Sequence, residues 1–420
     1  MNQNAFEKVV GYADIKLELS RILDQMRNPE KYAALGVTEP HGLLLDGEPG
    51  VGKSTFARSF LEASGRNTYI LRKDKPNGDF VKEIARVFDE AAENAPSVIL
   101  LDDLDKFANE DECHRDAEEF VTVQACIDKY KDRQVFVIAT ANNVQKLPDS
   151  LVRAGRFDHV LTIKCPEGKD AEAIVAYYMA QKSFVADMNT QRIARLLEGR
   201  SCAELENVIN LAATYAAYEN AEQVEMKHML KAILRIVFGA PEKSNADDRS
   251  LHLVACHEAG HALVGELTEP GSVDLVTVLN HDSQAAGITA LHRDDGYFHS
   301  KQHMENRVLC LLAGKAATEV CYGTVDPGVI SDMRRAFDIV HRFVDDYCSF
   351  GFDRFVFSRN PSDDLLSRRD AQAASELDRY YAQTRQLIIR NKAKLEQLTA
   401  KLLEEKTLLG DRVQEILQAA

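Results

Sequence analysis

The 420-residue sequence predicts an α/β module built on a parallel sheet, followed by a helical segment and then a mostly α-helical domain. Three observations support this fold class. Apolar runs alternate with helix-like segments over residues 1–164, which is typical of a parallel sheet covered by helices on both faces. A glycine-rich loop follows the first apolar run and precedes a helix. Near residue 251 an apolar helix begins that carries two histidines four positions apart.

The first module contains five strand candidates, which are Gly42–Leu45, Thr68–Leu71, Ser97–Leu101, Val135–Ala139 and Val160–Ile163. Helical stretches such as Phe80–Ala92 lie between them. Residues 169–238 are rich in Ala, Leu and Glu without strand-like alternation, so we predict a helical subdomain at 165–240. A polar, turn-forming segment at 241–250 is the predicted linker.

The last domain is predicted at 251–420 and starts with the histidine-containing helix. Two β-leaning patches follow at Val273–Leu279 and Gly287–Leu291, and then long helices. From Ser367 to the end the pattern is charged and amphipathic and contains no proline. This pattern predicts a closing pair of helices that is broken near Gly410.

The composition argues against several classes of protein. The formal net charge of −15 disfavours nucleic acid as the main partner, because its phosphates would be repelled. The eight cysteines lie mostly in apolar surroundings without a C-x-x-C motif, which predicts reduced thiols in a cytoplasmic protein. The amino terminus is polar and no run of 18 apolar residues exists, so we predict neither a signal peptide nor a membrane span.

Residues 47–54 read G-x-x-x-x-G-K-S between an apolar strand and a helix, which is the context that a phosphate-binding loop needs. Backbone N–H groups of such a loop and the helix N terminus surround phosphate oxygens. Lys53 is predicted to contact the β- and γ-phosphates, and the Ser54 hydroxyl to bind Mg²⁺. The predicted nucleotide-binding residues here are Gly47, Glu48, Pro49, Gly50, Val51, Gly52, Lys53, Ser54 and Thr55. A glycine-rich turn without a ligand is the alternative.

The strand Ser97–Leu101 ends in two acidic residues, Asp102 and Asp103. A buried strand that delivers a carboxylate beside a phosphate loop can hold Mg²⁺, and we predict this role for Asp102. Asp103 is then placed to orient the attacking water. An ordinary strand that ends in an acidic turn is the alternative.

Residues 257–261 read H-E-x-x-H within an apolar helix. His257 and His261 project from one helix face, and neutral imidazoles at this spacing can bind one Zn²⁺. Glu258 can then take a proton from a metal-bound water. The alternative is a pair of core histidines that share this spacing by chance.

Two further segments, Val137–Asn142 and Leu151–Asp158, complete a recognisable order of motifs. With them, nearly the whole chain resembles the FtsH family of ATP-dependent zinc metalloproteases, which belongs to the AAA superfamily. The resemblance implies an AAA nucleotide-binding subdomain at 1–164, a helical lid at 165–240 and a zinc metallopeptidase domain at 251–420. It also implies that Val10 and Gly11 lie near the adenine.

The resemblance assigns roles to three polar residues of the ATPase half. Asn142 matches the family's sensor of the γ-phosphate. Arg153 and Arg156 match its two arginine fingers, which act on the ATP of the neighbouring subunit. Fingers that act in trans require a ring, so the resemblance implies a homohexamer. A guanidinium supplied across an interface neutralises charge that develops on the transferred phosphoryl group; a solvated surface pair is the alternative.

In the peptidase half, the resemblance implies Asp332 as the third zinc ligand, 75 residues after His257. From the residues alone, a cap at the start of the helix would be the default role for this Asp. Downstream of it we predict an apolar helical stripe formed by Met333, Phe337, Val340, Val344 and Tyr347.

Three further expectations follow for the surroundings of the zinc ligands. Glu319 matches a family Glu near the metal that can accept the free N–H of a ligand histidine, with a helix-surface Glu as the alternative. Ala286–Thr289 resembles the edge strand beside the cleft, where a substrate backbone can pair. The remaining histidines match no family ligand and are predicted in loops or on the surface; they are His281, His292, His299 and His303.

The sequence departs from the family pattern at several places. Asp103 stands where the family usually carries Glu, so the attacking water is predicted to be held less well. Lys75–Gly78 takes the place of an aromatic pore loop, which predicts a weaker grip on substrate. Ser201–Glu204 replaces a small Gly-containing turn of the lid. We also expect this chain to lack the family's amino-terminal membrane anchors.

The sequence therefore predicts an ATP-dependent zinc metalloendopeptidase that uses Zn²⁺, ATP and Mg²⁺ and degrades unfolded or loosely folded polypeptides. Its predicted partners are polypeptide substrates and copies of itself. The alternative is an ATP-dependent remodelling ring or scaffold whose hydrolysis is weakened by Asp103 and the altered pore segment. A third possibility is a protease that acts on already unfolded chains and uses ATP only for ring assembly.

Overall fold

The structure, a computed structural model, describes residues 6–38, 40–74, 76–108, 117–153, 155–186, 188–239, 248–279, 287–292, 300–324, 328–347, 349 and 362–419, without the side chains of residues 77, 248 and 249. The chain divides into two compact units. Unit 1 comprises Met1–Ala186 and Leu197–Asn210, and unit 2 comprises Asp187–Leu196 and Leu211–Ala420. The domain boundaries given above remain predictions.

Unit 1 is built on a five-stranded parallel sheet with the strand order β2-β3-β4-β1-β5. The strands are β1 Gly42–Asp46, β2 Asn67–Leu71, β3 Ser97–Leu101, β4 Val135–Ala141 and β5 His159–Thr162. The predicted parallel α/β module is therefore confirmed. Every residue of the central strands β3 and β4 is buried, as expected for strands that are covered on both faces.

Up to Ala186, the described part of unit 1 contains the α-helices α1 Ala13–Arg27, α2 Pro29–Ala33, α3 Lys53–Ser64, α4 Asn77–Glu93, α5 Glu118–Tyr130 and α6 Gly168–Met179. Helices α4 and α5 pack on each other and enclose a core rich in phenylalanine, including Phe80, Phe88, Phe107 and Phe120. Phe80 and Phe107 meet edge to face, with ring centroids 4.8 Å apart. This core supports the ends of β3 and β4, and the acidic residues Asp102 and Asp103 directly follow β3.

The next segment continues as helices α7 Thr190–Leu196, α8 Cys202–Tyr218 and α9 Met226–Val237, so its predicted helical character is confirmed. A capping box begins α8. The Ser201 amide donates to Glu204 Oε2 at 2.9 Å, and the Glu204 amide donates to Ser201 Oγ at 3.3 Å. Ser201–Glu204, which replaces the family's glycine-containing turn, therefore pairs two of its backbone amides with its own side chains.

Unit 2 is mostly helical, in agreement with the predicted fold class. Its further elements are α10 Asp248–Thr268, β6 Val273–Thr277, β7 Ile288–Leu291, α11 Lys301–Tyr322, α12 Val329–Asp345, α13 Asp363–Arg390, α14 Lys392–Glu405, β8 Thr407–Leu409 and α15 Gly410–Ala419. Helix α10 is central, and it packs on α11, α14 and α13. The predicted H-E-x-x-H helix thus lies in the core of the unit.

The closing segment differs from the predicted pair of helices. Helix α13 ends at Arg390, and α14 follows after Asn391. Lys406 then adopts a left-handed conformation with φ of 63°, which ends α14 and starts β8. Strand β8 pairs antiparallel with β6, so the small sheet has the order β7-β6-β8. The predicted break near Gly410 is confirmed, since α15 begins there, whereas the break at Asn391 and strand β8 were not predicted. Three residues are too few to show a strand period in the sequence.

The apolar stripe of α12 is also displaced from its prediction. Val340 and Val344 are buried as expected, together with Phe343. Phe337 and Tyr347 remain 40% and 51% exposed, so the predicted stripe is wrong at these two positions. The buried face of α12 thus includes Phe343 and excludes Phe337 and Tyr347. The spacing of apolar residues counted from Met333 did not predict this.

Helices α10 and α11 approach each other closely at Gly260. A Cβ atom at this position would lie 2.7 Å from the carbonyl oxygen of Ala313 and 2.7 Å from Cβ of Ala317. Real Cβ atoms do not tolerate such distances, so glycine permits the contact between the two backbones. The spacing of the helices in unit 2 depends on this position.

We predict that Gly260→Ala lowers the free energy of unfolding by about 1–3 kcal/mol, because the methyl group must push two backbones apart. Chemical denaturation measures this change. Gly265→Ala in the same helix is the matched control, since its Cβ would meet only the far ends of the Leu291 and Ser272 side chains, at 3.2 and 3.3 Å. Equal stability of the two variants would contradict the role assigned to Gly260.

Candidate metal centre and nucleotide site

Three donor atoms meet where α10 faces the start of α12. His257 Nε2 and His261 Nε2 lie 2.9 Å apart, and each lies 3.3 Å from Asp332 Oδ2. His257, His261 and Asp332 are called the metal donor set below. The helix N-cap is Gly328, so Asp332 does not cap α12 and turns its carboxylate to the imidazoles instead. Tetrahedral ligands with Zn–N bonds of about 2.0–2.1 Å lie roughly 3.3 Å apart, close to the distances observed.

Gly314 of α11 keeps the space beside these nitrogens free. A Cβ atom there would lie 2.4 Å from His257 Nε2 and 2.6 Å from His261 Nε2. Burial alone would raise the pKa of Asp332, but hydrogen bonds with the two imidazoles lower it well below its usual range. The carboxylate is therefore ionised, as a metal ligand must be. The donor set and its cradle fit a small divalent cation.

The carbonyl oxygen of Cys310 fixes the tautomer of His261. It lies 2.7 Å from His261 Nδ1, which must donate, so Nε2 is left as the acceptor that faces the donor set. Sequence reasoning missed this partner, because a backbone carbonyl leaves no mark in the residue pattern. Nδ1 of His257 is buried and has no hydrogen-bond partner among the residues that the structure describes.

Glu319 does not take the predicted role. Its carboxylate accepts from the Lys315 ammonium and from the Tyr381 hydroxyl, which lie on α11 and α13. The prediction that it holds a ligand histidine is therefore wrong. Lys315, one turn earlier in α11, pairs with this carboxylate instead.

Glu258 lies beside the donor set and is buried. The Thr289 hydroxyl of β7 donates to its Oε2 at 2.7 Å. A Cβ atom at Gly287 would lie 2.6 Å from Glu258 Cγ, so glycine lets the strand pass close to this side chain. Burial raises the pKa of Glu258, which brings it toward the range of a general base. Thr289 and Gly287 were noticed in the sequence only as parts of an edge strand, and Ala286 lies outside the described residues.

The other histidines stand apart from the donor set. His292 Nδ1 lies 4.0 Å from Asp274 Oδ2, and His303 Nδ1 lies 2.9 Å from Glu269 Oε1. His281 and His299 lie outside the described residues. Among the residues described, the donor set is the group of three His, Cys, Asp or Glu side chains that can share a metal ion.

In unit 1 the predicted phosphate loop connects β1 to α3. Gly47, Gly50 and Gly52 all have positive φ angles, a conformation that residues with a side chain rarely adopt. Lys53 donates to the carbonyl oxygens of Gly47 and Glu48, each at 2.8 Å, and so spans the loop. Pro49, Val51 and Thr55 belong to the loop and to the first turn of α3, and Val51 is buried.

A buried threonine ties the two acidic residues together. Asp102 Oδ1 lies 3.3 Å from Ser54 Oγ and accepts from the Thr140 hydroxyl at 2.9 Å. The same hydroxyl accepts from the backbone amide of Asp103 at 2.8 Å. Sequence reasoning missed Thr140, although its place near the end of β4, next to β3 in the sheet, is a signal that could have indicated it.

Asp103 adopts a left-handed conformation with φ of 57°, which aspartate tolerates better than most residues. Its Oδ2 lies 2.9 Å from Lys106 Nζ and 3.4 Å from Arg72 Nη2. The short carboxylate is thus held by two cations, one on either side of it in the sequence.

Four other segments of unit 1 converge near the loop. Gly11 has φ of 72°, and the Tyr12 amide that follows Val10 and Gly11 donates to Asp170 Oδ1 at 2.8 Å. The Ala203 amide donates to the Gly50 carbonyl at 3.1 Å. Asn142 lines a cavity of about 480 Å³ together with Gly47, Glu48, Thr162 and Lys164 as well as other residues.

The two predicted arginine fingers differ in their surroundings. Arg153 is exposed. Arg156 is only 7% exposed and binds both carboxylate oxygens of Asp128, at 3.1 and 2.7 Å, and Gln124 Oε1 at 3.1 Å. Arg156 is therefore held by an ion pair in this chain, and the assignment of both arginines as fingers stays a prediction.

In the predicted pore segment, Asn77 and Gly78 form the first turn of α4, and Pro76 precedes them as its N-cap. Lys75 lies outside the described residues. Phe80, the next aromatic residue, is fully buried in the core of unit 1.

The two units thus contain a phosphate-binding loop on a parallel sheet and a metallopeptidase type of donor set on a helical core. Comparison with known families agrees with this description. Residues 43–165 match the ATPase family associated with various cellular activities (AAA), 187–231 match the AAA+ lid domain, and 244–416 match peptidase family M41.

Individual relatives extend over nearly the whole chain. An ATP-dependent zinc metalloprotease FtsH 2 of Symbiobacterium thermophilum is 31% identical over 99% of this chain and 74% of its own length. The ATP-dependent zinc metalloprotease FtsH of Pelobacter propionicus is 29% identical over 98% and 71%, and that of Bacillus subtilis is 27% identical over 98% and 69%. The chain belongs to the FtsH family of ATP-dependent zinc metalloproteases, and the predicted resemblance is confirmed.

Within the residues described, none of the helices combines the length and the apolar character that crossing a membrane requires.

We predict that Gly314→Ala abolishes zinc binding, because its methyl group would occupy the space beside both imidazole nitrogens. Metal analysis of the purified protein measures this loss. Ala316→Ser on the same helix, a change of similar size in the core, is the control and should retain zinc. Retention of stoichiometric zinc by Gly314→Ala would show that the metal binds elsewhere.

Proposed function

We propose that the chain is an ATP-dependent zinc metalloendopeptidase in which His257, His261 and Asp332 hold zinc and Glu258 is the general base. The observation that carries the proposal is the donor set itself, with three ligand atoms within 4.8 Å of one another beside a buried glutamate. Three protein ligands leave one position free for water and substrate, as a catalytic zinc site requires. The alternative function, that of a scaffold or remodelling ring, would not require a complete set of metal ligands.

When bound, zinc supplies Lewis acidity toward the scissile carbonyl and lowers the pKa of water at the site. Glu258 takes the proton of the attacking water, and its raised pKa favours this transfer. The same carboxyl group then protonates the leaving amine. Thr289 holds the carboxylate in position, and β7 offers a backbone against which an extended polypeptide can pair.

For the ATPase half, we assign the phosphates to the loop residues 47–55, with Lys53 on the β- and γ-phosphates. Ser54 and Asp102 are close enough to share one Mg²⁺ ion. Asn142 senses the γ-phosphate from the wall of the cavity next to the loop. Asp103 orients the attacking water, and Val10 and Gly11 lie toward the adenine.

The assembly is proposed as a homohexamer, with Arg153 as the guanidinium that reaches the ATP of the neighbouring subunit. Its exposure supports this choice over Arg156. Arg156 is assigned a supporting role, because its ion pair with Asp128 fixes the loop that carries Arg153. Polypeptides are the proposed substrates. The absence of a nucleic-acid partner and the cytoplasmic location remain predictions.

Glu258→Gln is expected to stop the digestion of an unfolded protein such as casein while zinc stays bound. The amide keeps the shape of the side chain and loses its basicity. Digestion is measured with and without ATP, and metal content is measured in parallel. His257→Ala, the companion variant, should lose both zinc and activity. If Glu258→Gln digests casein at the wild-type rate, another residue must be the base.

Thr140→Val is expected to lower the rate of ATP hydrolysis by about tenfold or more and to raise the Mg²⁺ concentration needed for half-maximal rate. The change leaves the Asp103 amide unsatisfied and frees Asp102, and small displacements of positioning groups have effects of this size. Thr140→Ser restores the hydroxyl and should restore most of the rate at wild-type Mg²⁺ demand. A Thr140→Ser variant as slow as Thr140→Val would assign the effect to packing instead.

A further inference from the structure

Two free cysteines meet across the contact between α10 and α11, next to the metal donor set. Cys256 directly precedes His257 and is buried. Cys321 lies in the last turn of α11 and is partly exposed. Both side chains pack in the same apolar core of unit 2, where each thiol shifts the pKa of the other. Neither cysteine takes part in the function proposed above.

The register of the two helices places these cysteines opposite each other. His261 contacts Cys310, and one turn further along α11 Gly260 packs against Ala313 and Ala317. The helices therefore run antiparallel, and one more turn toward the start of α10 brings Cys256 to Cys321. The packing of the two helices therefore places residues 256 and 321 opposite each other.

The surroundings favour reaction at Cys321. The neighbouring Cys256 thiol and the Lys392 ammonium lower the pKa of the Cys321 thiol to about 7, although burial and Glu396 act in the opposite direction. A thiolate is the reactive form of cysteine, and its partial exposure admits a small oxidant. Cys256, which is buried, is placed as the resolving thiol.

We propose that Cys256 and Cys321 form a reversible disulfide when the protein meets a peroxide, and that this bond lowers peptidase activity. The effect on activity rests on the zinc peptidase function proposed above, whereas the formation of the disulfide does not. No ligand of the donor set is a thiol, so oxidation of the cysteines removes no metal ligand.

The reaction balances with hydrogen peroxide as the oxidant. The Cys321 thiolate attacks one peroxide oxygen, an S–O bond forms, the O–O bond breaks, and hydroxide leaves with the second oxygen. The Cys256 sulfur then attacks the Cys321 sulfur of the sulfenic acid, the S–S bond forms, and the S–O bond breaks. The departing hydroxide takes the Cys256 proton as water. Two thiols are oxidised and one peroxide is reduced to two waters.

The bond acts on the donor set through the packing of the helices. A disulfide requires the two sulfurs to approach to about 2.0 Å, which pulls α10 toward α11 beside His257. One turn away the two helices are already closely packed, because Gly260 leaves no room for a methyl group against Ala313 and Ala317, and Gly314 leaves none beside the two imidazoles. The displacement therefore reaches the imidazoles, and a shift of about 1 Å at a positioning group can lower a rate by up to about 100-fold.

The test uses the zinc-loaded full chain in which every cysteine except Cys256 and Cys321 is replaced by serine. After hydrogen peroxide, intact mass should fall by two hydrogen atoms, and both thiols should disappear from a thiol titration. Casein digestion should fall about tenfold or more and return with dithiothreitol. Zinc content and ATP hydrolysis are measured in the same samples.

Cys321→Ser in the otherwise native chain is the second variant, and peroxide should leave its peptidase rate unchanged. Cys126→Ser, which removes a buried thiol of unit 1, should remain as sensitive as the native chain. Two intact thiols after peroxide, or a disulfide that leaves digestion unchanged, would overturn the inference. A reduced protein that has no peptidase activity would overturn the proposed function instead, and the thiol measurement would still decide whether the disulfide forms.

Discussion

The close approach of α10 and α11 is the constraint on which the peptidase unit depends. Gly260 brings the two backbones together, and Gly314, on the facing helix, leaves space beside both imidazole nitrogens. The same approach lets the Cys310 carbonyl reach His261 Nδ1 and set its tautomer. A helix pair at ordinary spacing would separate these groups by the width of a methyl group or more. The close packing of α10 on α11 thus contributes to stability, orients the ligand His261 and leaves space for the ion.

Unit 1 uses a single buried hydroxyl for a comparable purpose. Thr140 joins the side chain of Asp102 to the backbone of Asp103, and Ser54 shares the same carboxylate oxygen. Because buried polar groups are expensive to leave unpaired, this arrangement fixes the positions of both acidic residues. The geometry that an ion and a phosphate need is therefore prepared by the ends of neighbouring strands.

Local patterns determined what the sequence could predict. The five parallel strands, the phosphate loop and the H-E-x-x-H helix follow from short-range periodicity and were predicted from it. Asp332 required the family resemblance, since nothing within its own helix distinguishes a ligand from a cap. Gly314, Thr140 and the Cys310 carbonyl act through contacts between elements distant in sequence, and no periodicity encodes such contacts. Periodicity was also insufficient for Phe337, which was predicted in the apolar stripe and is exposed. One side chain can shift which face of an amphipathic helix is buried.

Asp103 illustrates how the surroundings of a residue can change the meaning of a substitution. Its side chain is one methylene shorter than the Glu usual in the family, and by itself this suggests a poorly held water. The structure supplies two cations, Lys106 and Arg72, and a fixed left-handed backbone. Partly exposed ion pairs contribute only about 0–1 kcal/mol, so they orient the carboxylate without locking it away from an incoming nucleotide. The restricted motion of the Asp103 side chain therefore compensates for its shorter length. How far the carboxylate extends depends on the Asp103 backbone amide, which Thr140 holds in place.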